Sequence, residues 1–423
     1  MACKTTDMIV KLRFLDRPEI VELPLVDSSS CEDLWRFAAR KIIGVKPPAL
    51  EIFGIKCVST STWLRPSDPV PFGQQDLEFR LRFKPPYPGR LVEIDKEAFK
   101  YYYAQVRHDL DQGIVLRNIA KDNIKDLNAK TPKWYLPMIN KTQDPDAALA
   151  RKKRVKILSD TVTIVSCNIV VDISTGKEDK ETALKKFESY VPKEIWSNTA
   201  EKLLEFNDFK KTTTKMVERL LNEKIKNCVI SRKLQFLNTI EANFQEYYHE
   251  FFSVNLRDLQ TKHAEIATLK IVPPFKFKLP PFKKNEAYLA RVDDYTKEAA
   301  GNILCNIEDI CNISTNQDEE NGSISIEIAR KNGIPLRMVI ENGKKAWTFL
   351  TSLTGYYRLC EKWVFCLCPD VIYPSLNRLL VSKVHGPVDT NFIMEKFKGF
   401  FFSTCPTNTQ KILLKRTKIT TDV

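Results

Sequence analysis

Histidine is scarce, at four residues in 423, and none lies near a cysteine cluster. The eleven cysteines are scattered, and no C-x-x-C occurs. That spacing excludes the usual structural zinc motifs and fits reduced, mostly buried thiols. Cys366 and Cys368 stand one residue apart. Long apolar runs are missing too. The longest uncharged apolar stretch, Thr161 to Val171, is too short to span a bilayer. The N-terminus, "MACKTTDMIVKLRF", carries charge where a signal peptide is apolar, so a soluble, intracellular protein is expected. There is no internal repeat and no low-complexity tract. Catalytic signatures are absent as well. The chain has no G-x-G-x-x-G, His-Arg-Asp loop or Asp-Phe-Gly, no Walker loop, no H-E-x-x-H and no G-x-S-x-G. His108 lies beside Asp109, a pair expected to be solvated on a helix. His385, ahead of Gly386 and Pro387, reads as a turn residue. No catalytic residue, metal ligand or cofactor site is assigned.

What is present is globular. Hydrophobic residues make up 43% and charged residues 28%, enough to bury cores in roughly three domains of about 150 residues. The net charge of +13 suits nucleic acid, an anionic membrane surface or an acidic partner. Local runs occur at "ARKKRVK" (150–156) and "FKKTTTK" (209–215), although charge spread in this way also suits a solvated face.

Alternation in "MIVKLRFL" (8–15) puts Met8, Val10, Leu12 and Phe14 on one strand face. "EIVELPLV" (19–26) is a second strand. "SSCEDLWRFAARKIIG" (29–44) is a helix with capping-box spacing between Ser29 and Glu32 and a stop at Gly44. "LEIFGIKC" (50–57) and "DLEFRLRF" (76–83) return to strands, the last with Glu78, Arg80 and Arg82 opposite its apolar face. Two strands, a helix and two strands suggest a ubiquitin-like β-grasp unit, closed by "KPPYPG" (84–89).

Helical spacing follows in "DKEAFKYYYAQVRHDLDQG" (95–113), with Asp95 as N-cap and Gly113 as stop. Residues 121 to 160 are polar and read mostly as a long loop. Helices are predicted at 180–191, 193–207, 209–227 and 237–252. Beyond residue 262 the pattern turns to strands: 287–292, 301–307, 323–329 and 336–341, with an Asn332-Gly333 turn and an acidic loop at 315–322. A helix closes the segment at 343–363, with Trp347, Leu350, Thr354 and Tyr357 on one face. Strands closed by one helix follow the order of a pleckstrin-homology-like barrel. The hairpin signal in "GFFFSTCPTNTQKILLKR" (399–416) opens a further module.

This order resembles the three lobes of a FERM domain. "KYYYAQVRHDLDQG" (100–113) is similar to the first helix of the second FERM lobe. "WTFLTSLTGYYRLCEKWVFCLC" (347–368) resembles the final helix of the third lobe in Janus tyrosine kinases. "VSKVHGPVDTNFIMEKFKG" (381–399) is similar to the entry into the Src-homology-2-like domain of that family. The resemblance implies an α+β multidomain chain. Residues 7–90 would form a ubiquitin-like first lobe, 91–261 an all-helical, acyl-CoA-binding-protein-like second lobe and 262–365 a pleckstrin-homology-like third lobe. Residues 366–384 would be a linker and 385–423 an incomplete Src-homology-2-like domain. The phosphotyrosine-binding Arg of that fold has Thr404 at its position, or Ser403 with a one-residue slip, and neither carries charge. The fold needs about 100 residues, so the chain is expected to be truncated ahead of pseudokinase and kinase domains.

The family's FERM and Src-homology-2-like units hold the membrane-proximal tail of a cytokine receptor. The resemblance thus implies a non-catalytic receptor-docking module from a non-receptor tyrosine kinase, working at the inner face of a membrane. The receptor-contact candidates are Phe206, Phe209, Met216 and Leu220, with Lys210, Lys211, Lys215 and Arg219 between them. The same apolar spacing also suits the core of a helical bundle. The alternative is a FERM membrane–cytoskeleton adaptor that binds phosphoinositides; a FERM-bearing phosphatase would need a Cys-x5-Arg loop, which is absent. Nucleic acid is not an expected partner.

Overall fold

The computed structural model describes residues 7–46, 49–85, 88–115, 145–192, 203–223, 228–257, 264–274, 287–292, 303–331, 333–360 and 367–373. They form two compact units. One joins the residues up to Ala98 with those from His249 onward; the other runs from Phe99 to Tyr248.

The first unit opens with a mixed five-stranded sheet. Its strands are β1 (Asp7–Arg13), β2 (Ile20–Val26), β3 (Phe53–Cys57), β4 (Thr62–Trp63) and β5 (Leu77–Leu81), in the order β2-β1-β5-β3-β4. β1 and β2 pair antiparallel from Asp7 with Val26 to Arg13 with Ile20. The alternation holds for Val10, Leu12 and Phe14, which are buried, whereas Met8 at the strand's start is exposed. Phe79 is the centre of this core. It stacks on Phe53 at 4.9 Å and meets Phe14 at 5.3 Å. Helix α1 (Cys31–Phe37) starts one residue later than its sequence signal. The capping box is Ser30 with Asp33, not Ser29 with Glu32. Glu32 is instead buried and accepts from Arg36 at 2.9 Å. The helix widens into π-type turns over Ala38–Ile43 and stops at Gly44, whose φ of 82° suits glycine.

Strand β5 departs from the sequence expectation. Its charged face is buried as deeply as its apolar one: Glu78, Arg80 and, just beyond the strand, Arg82 are each under a tenth exposed. Glu78 and Arg80 pair with each other at 2.8 Å, and Arg82 is covered by a helix, α8 (Gly343–Cys360), which closes the second sheet of the same unit. That sheet is antiparallel and seven-stranded. It contains β6 (Glu250–Arg257), β7 (Ala264–Val272), β8 (Tyr288–Val292), β9 (Ile303–Asn306), β10 (Ile310–Gln317), β11 (Ile324–Arg330) and β12 (Leu336–Ile340), in the order β10-β11-β12-β6-β7-β8-β9. Strands β6 and β7 were not legible as strands. The aromatic spacing of 237–252 pointed to one helix, but the chain becomes a strand at Glu250, where Phe251 is exposed and Phe252 packs on Phe349. The acidic loop is also shorter than expected, because β10 continues to Gln317.

Between α8 and the first sheet lies a seam of buried polar groups. Arg82 donates to the Thr348 carbonyl at 3.2 Å, to Thr351 Oγ1 at 2.6 Å and to Ser352 Oγ at 2.8 Å. Its guanidinium also stacks on Trp63 at 5.0 Å. Glu51 bridges Arg36 and Arg358, the latter at 2.7 Å. Burial alone would raise the Glu51 pKa, but the two guanidinium groups hold it below the usual carboxylate value. Past α8 the chain folds back. Ile313 N–H donates to the Leu367 carbonyl at 2.9 Å, and Tyr373 lies under Arg358 at 4.2 Å. Cys368 is buried there in a bend; Cys366 lies outside the described residues.

The second unit is helical. α2 (Pro88–Ile94) leads from the first sheet to α3 (Lys96–Asp111), whose N-cap is Asp95 as expected. Then come α4 (Pro145–Ser174), α5 (Lys180–Lys185), α6 (Leu203–Asn222) and α7 (Cys228–Asn243). α4 corrects the loop expected over residues 121 to 160: helix begins at Pro145, and residues 116–144 lie outside the description. From Thr161 to Val171 nearly every side chain of α4 is buried, including Ser166 and Asn168. A helix buried all round shows no amphipathic period, which is why the apolar stretch gave no helical signal. Asn168 accepts from Tyr103 at 2.7 Å, and Arg107 grips Asp172 with two bonds of 2.7 Å.

Candidate binding surface

α6 carries most of the residues singled out by the sequence. Phe209, Thr213, Val217 and Leu220 recur at helical spacing, and all four are buried. Phe209 sits 5.7 Å from the Phe187 ring, and the Thr213 hydroxyl returns to the Phe209 carbonyl at 2.9 Å. Each of these apolar side chains contributes about 1.5–3 kcal/mol by leaving water. Phe209 and Leu220 therefore hold the bundle together and present nothing to a partner.

The opposite face is basic. Lys211, Lys215 and Arg219 are exposed and follow one another at i, i+4 and i+8. Lys210 is half-buried, with its ammonium 5.9 Å from the centre of the Phe187 ring. Met216 is half-buried, and its sulfur accepts from Arg219 at 2.9 Å. The Phe206 side chain and Thr404 lie outside the described residues. The structure thus brings Lys211, Lys215 and Arg219 to one side of α6, sets Lys210 apart from them beside the Phe187 ring, and sends two of the apolar candidates inward.

The acids around this line are engaged elsewhere. Glu218 accepts from Lys180 at 3.3 Å. Glu223 lies 3.8 Å from Arg219 but is held more closely, at 2.7 Å, by the buried Arg232. Lys211 and Lys215 meet no acidic side chain among the described residues. Cations left so close together repel one another and favour an anion placed between them, within a Debye length of about 8 Å at physiological salt.

The His108–Asp109 pair differs from its expectation. His108 is half-exposed, but Asp109 is fully buried and accepts from Tyr247 at 2.6 Å. Its role is to anchor the turn after α7, and the imidazole is 3.5 Å away. Among the described residues no cluster of His, Cys, Asp and Glu could hold a metal ion. No described helix is long and apolar enough to cross a membrane.

A second basic surface, which the sequence reading missed, lies on the first unit. Arg65 stacks on the half-exposed Trp347 at 4.4 Å, and Lys344 and Lys345 beside it are exposed. The Gly-Lys-Lys run at the start of α8 was its available signal.

No protein-family model matches the chain. Solved structures do. The FERM and C-terminal domain complex of Drosophila merlin aligns with a TM-score of 0.51 and 14% identity, over 83% of this chain and 96% of that one. The chain has a FERM-like α+β fold. The Dictyostelium discoideum myosin VII MyTH4-FERM MF2 domain aligns at a TM-score of 0.49 and 13% identity, over 84% of this chain and 58% of that one. In FERM-like terms, the two sheets and α8 make up one unit and the helices that carry the basic line make up the other.

Proposed function

We propose that the chain is the receptor-docking part of a Janus-type non-receptor tyrosine kinase. Its five-stranded sheet would be the ubiquitin-like first lobe, its helices the second lobe, and its seven-stranded sheet with α8 the pleckstrin-homology-like third lobe. Residues 385–423 would begin a Src-homology-2-like domain. The module itself carries no chemistry; phosphoryl transfer would belong to kinase domains of the parent protein. It would sit in the cytoplasm at the inner face of a membrane, where an anionic leaflet attracts Lys and Arg by about 1 kcal/mol each.

One observation carries this reading: Lys211 and Lys215 project from α6 with no acidic partner among the described residues. The motifs at 100–113, 347–368 and 381–399 supply the family. The partner would be the membrane-proximal cytoplasmic segment of a cytokine-type receptor. Because Phe209 and Leu220 are core, affinity here would rest on the basic line and on Met216, with charge also setting the association rate. The test is titration of fluorescent membrane-proximal receptor peptides with the full chain and with its Lys211→Glu/Lys215→Glu variant. A peptide that binds the wild-type chain and loses binding in the variant supports the reading. Undiminished binding by the variant overturns it.

A second reading has its own observation. Lys344 and Lys345 are exposed beside Trp347, on which Arg65, itself paired with Asp68 at 2.7 Å, stacks; the two lysines suit an anionic headgroup next to an aromatic face, the adaptor alternative. Vesicles containing a phosphoinositide would then bind the chain and lose it on Lys344→Glu/Lys345→Glu. In Drosophila merlin the FERM domain is found in complex with the C-terminal domain.

A further inference from the structure

The spacing of the basic line narrows the chemistry of what it can hold. We propose that Lys211, Lys215 and Arg219 receive an extended acidic segment whose carboxylates stand on alternate residues. This rests on the docking reading of α6 and adds the conformation and charge pattern of the partner.

Four residues of helix rise about 6 Å, so the three cations stand about 6 Å apart along α6. In an extended strand, residues on one face recur every two positions, about 6.6 Å. Across three charges the two rulers drift by little more than 1 Å, which flexible lysine stems absorb. A polyproline II segment returns to the same face only every third residue, about 9 Å, and falls out of step at the second charge.

A partner helix with acids at i, i+4 and i+8 would match the spacing but not the surface. Helices pack through an apolar seam. The half-buried positions that flank this line are Lys210, Thr212, Thr214 and Met216, and Met216 alone is apolar. The Thr214 hydroxyl is already committed to the Lys210 carbonyl at 2.9 Å. A narrow polar flank accommodates one extended chain better than a cylinder of side chains.

The cations also differ in readiness. Lys211 and Lys215 meet no described acid, whereas Arg219 touches Met216 and shares Glu223. The segment should therefore be anchored at Lys211 and Lys215 and held more loosely at Arg219.

The test uses the full chain and two synthetic peptides of equal composition. One alternates Glu with Thr; the other carries the same Glu residues in one block. At low salt the alternating peptide should bind about tenfold more tightly, the effect of three exposed ion pairs formed in step. The preference should vanish in Lys211→Glu/Lys215→Glu and persist, reduced, in Arg219→Gln. Equal binding of the two peptides, or tighter binding of the block, overturns the proposal. So does binding confined to phosphatidylserine vesicles, which would make the line a membrane contact. If receptor peptides need Lys211 and Lys215 but alternation has no effect, docking on α6 stands and this proposal falls. If alternation matters but receptor peptides ignore both lysines, this proposal stands and the receptor assignment falls.

Discussion

Replacing Gly355 by alanine should destabilise the first unit, although the same change in an exposed helix would stabilise it. Gly355 lies on α8 with the Phe83 ring over its Cα. An alanine methyl there would stand 2.1 Å from Phe83 Cζ and 2.4 Å from Cε1. Carbon atoms in good contact keep about 3.5–4.0 Å, so the ring must retreat by more than about 1 Å. It has little room. Phe83 is 2% exposed and stands edge-on to Tyr356 at 5.1 Å. Overpacking of this kind costs about 1–3 kcal/mol. The gain in helix propensity from Gly to Ala is about 1 kcal/mol. The balance is a loss of up to about 2 kcal/mol, visible as a lower midpoint in urea unfolding. A smaller ring-site residue should relieve the clash, so Gly355→Ala combined with Phe83→Leu should be less damaging than the two effects added. Coupling of about 1 kcal/mol is expected between such neighbours. A variant more stable than the parent, or strict additivity, would refute the close approach.

Phe209→Ala should lower stability by about 3–5 kcal/mol, as for a buried ring, and a melting curve of the variant decides it. Lys211→Glu/Lys215→Glu should leave stability within about 0.5 kcal/mol of the parent, because both side chains are exposed. Glu51 supplies stability that is present above its unfolded pKa, near 4.5, and lost as pH falls through its lower folded value. Glu51→Gln should flatten that acid limb, and a pH series of urea midpoints reads it; an unchanged limb would remove Glu51 as its source. The purified chain should transfer no phosphate from radiolabelled ATP to itself or to a tyrosine peptide, and transfer by kinase-free protein would sink the docking-module reading.

Much of the fold was legible where burial follows local period. Strands β1, β2, β5, β8, β11 and β12 and helices α3 and α8 lie where alternation or helical spacing put them. What was hidden came from neighbours far along the chain. Arg82 looks solvent-directed until α8, some 270 residues later, covers it. α4 lost its period because neighbours bury it on every side. Strand β6 reads as the end of a helix because Phe251, seven residues after Phe244, falls on the helical face of Ile240 and Phe244. On α6 the basic residues were legible as a surface. The apolar residues between them were legible only as amphipathic, and that spacing could not say whether a partner or the bundle would take them.

The Arg82 seam has a consequence for how such a sequence can drift. Three acceptors on two turns of α8 converge on one guanidinium. Change the arginine alone, and buried hydroxyls lose their donor. Change Thr351 or Ser352 to an apolar residue alone, and a buried cation loses an acceptor. Either single step is costly, whereas replacing both sides by well-packed apolar residues is nearly neutral. Position 82 should therefore covary with 351 and 352 among related chains. An arginine should go with hydroxyls there and an aliphatic residue with aliphatics, and mixed pairings should be rare.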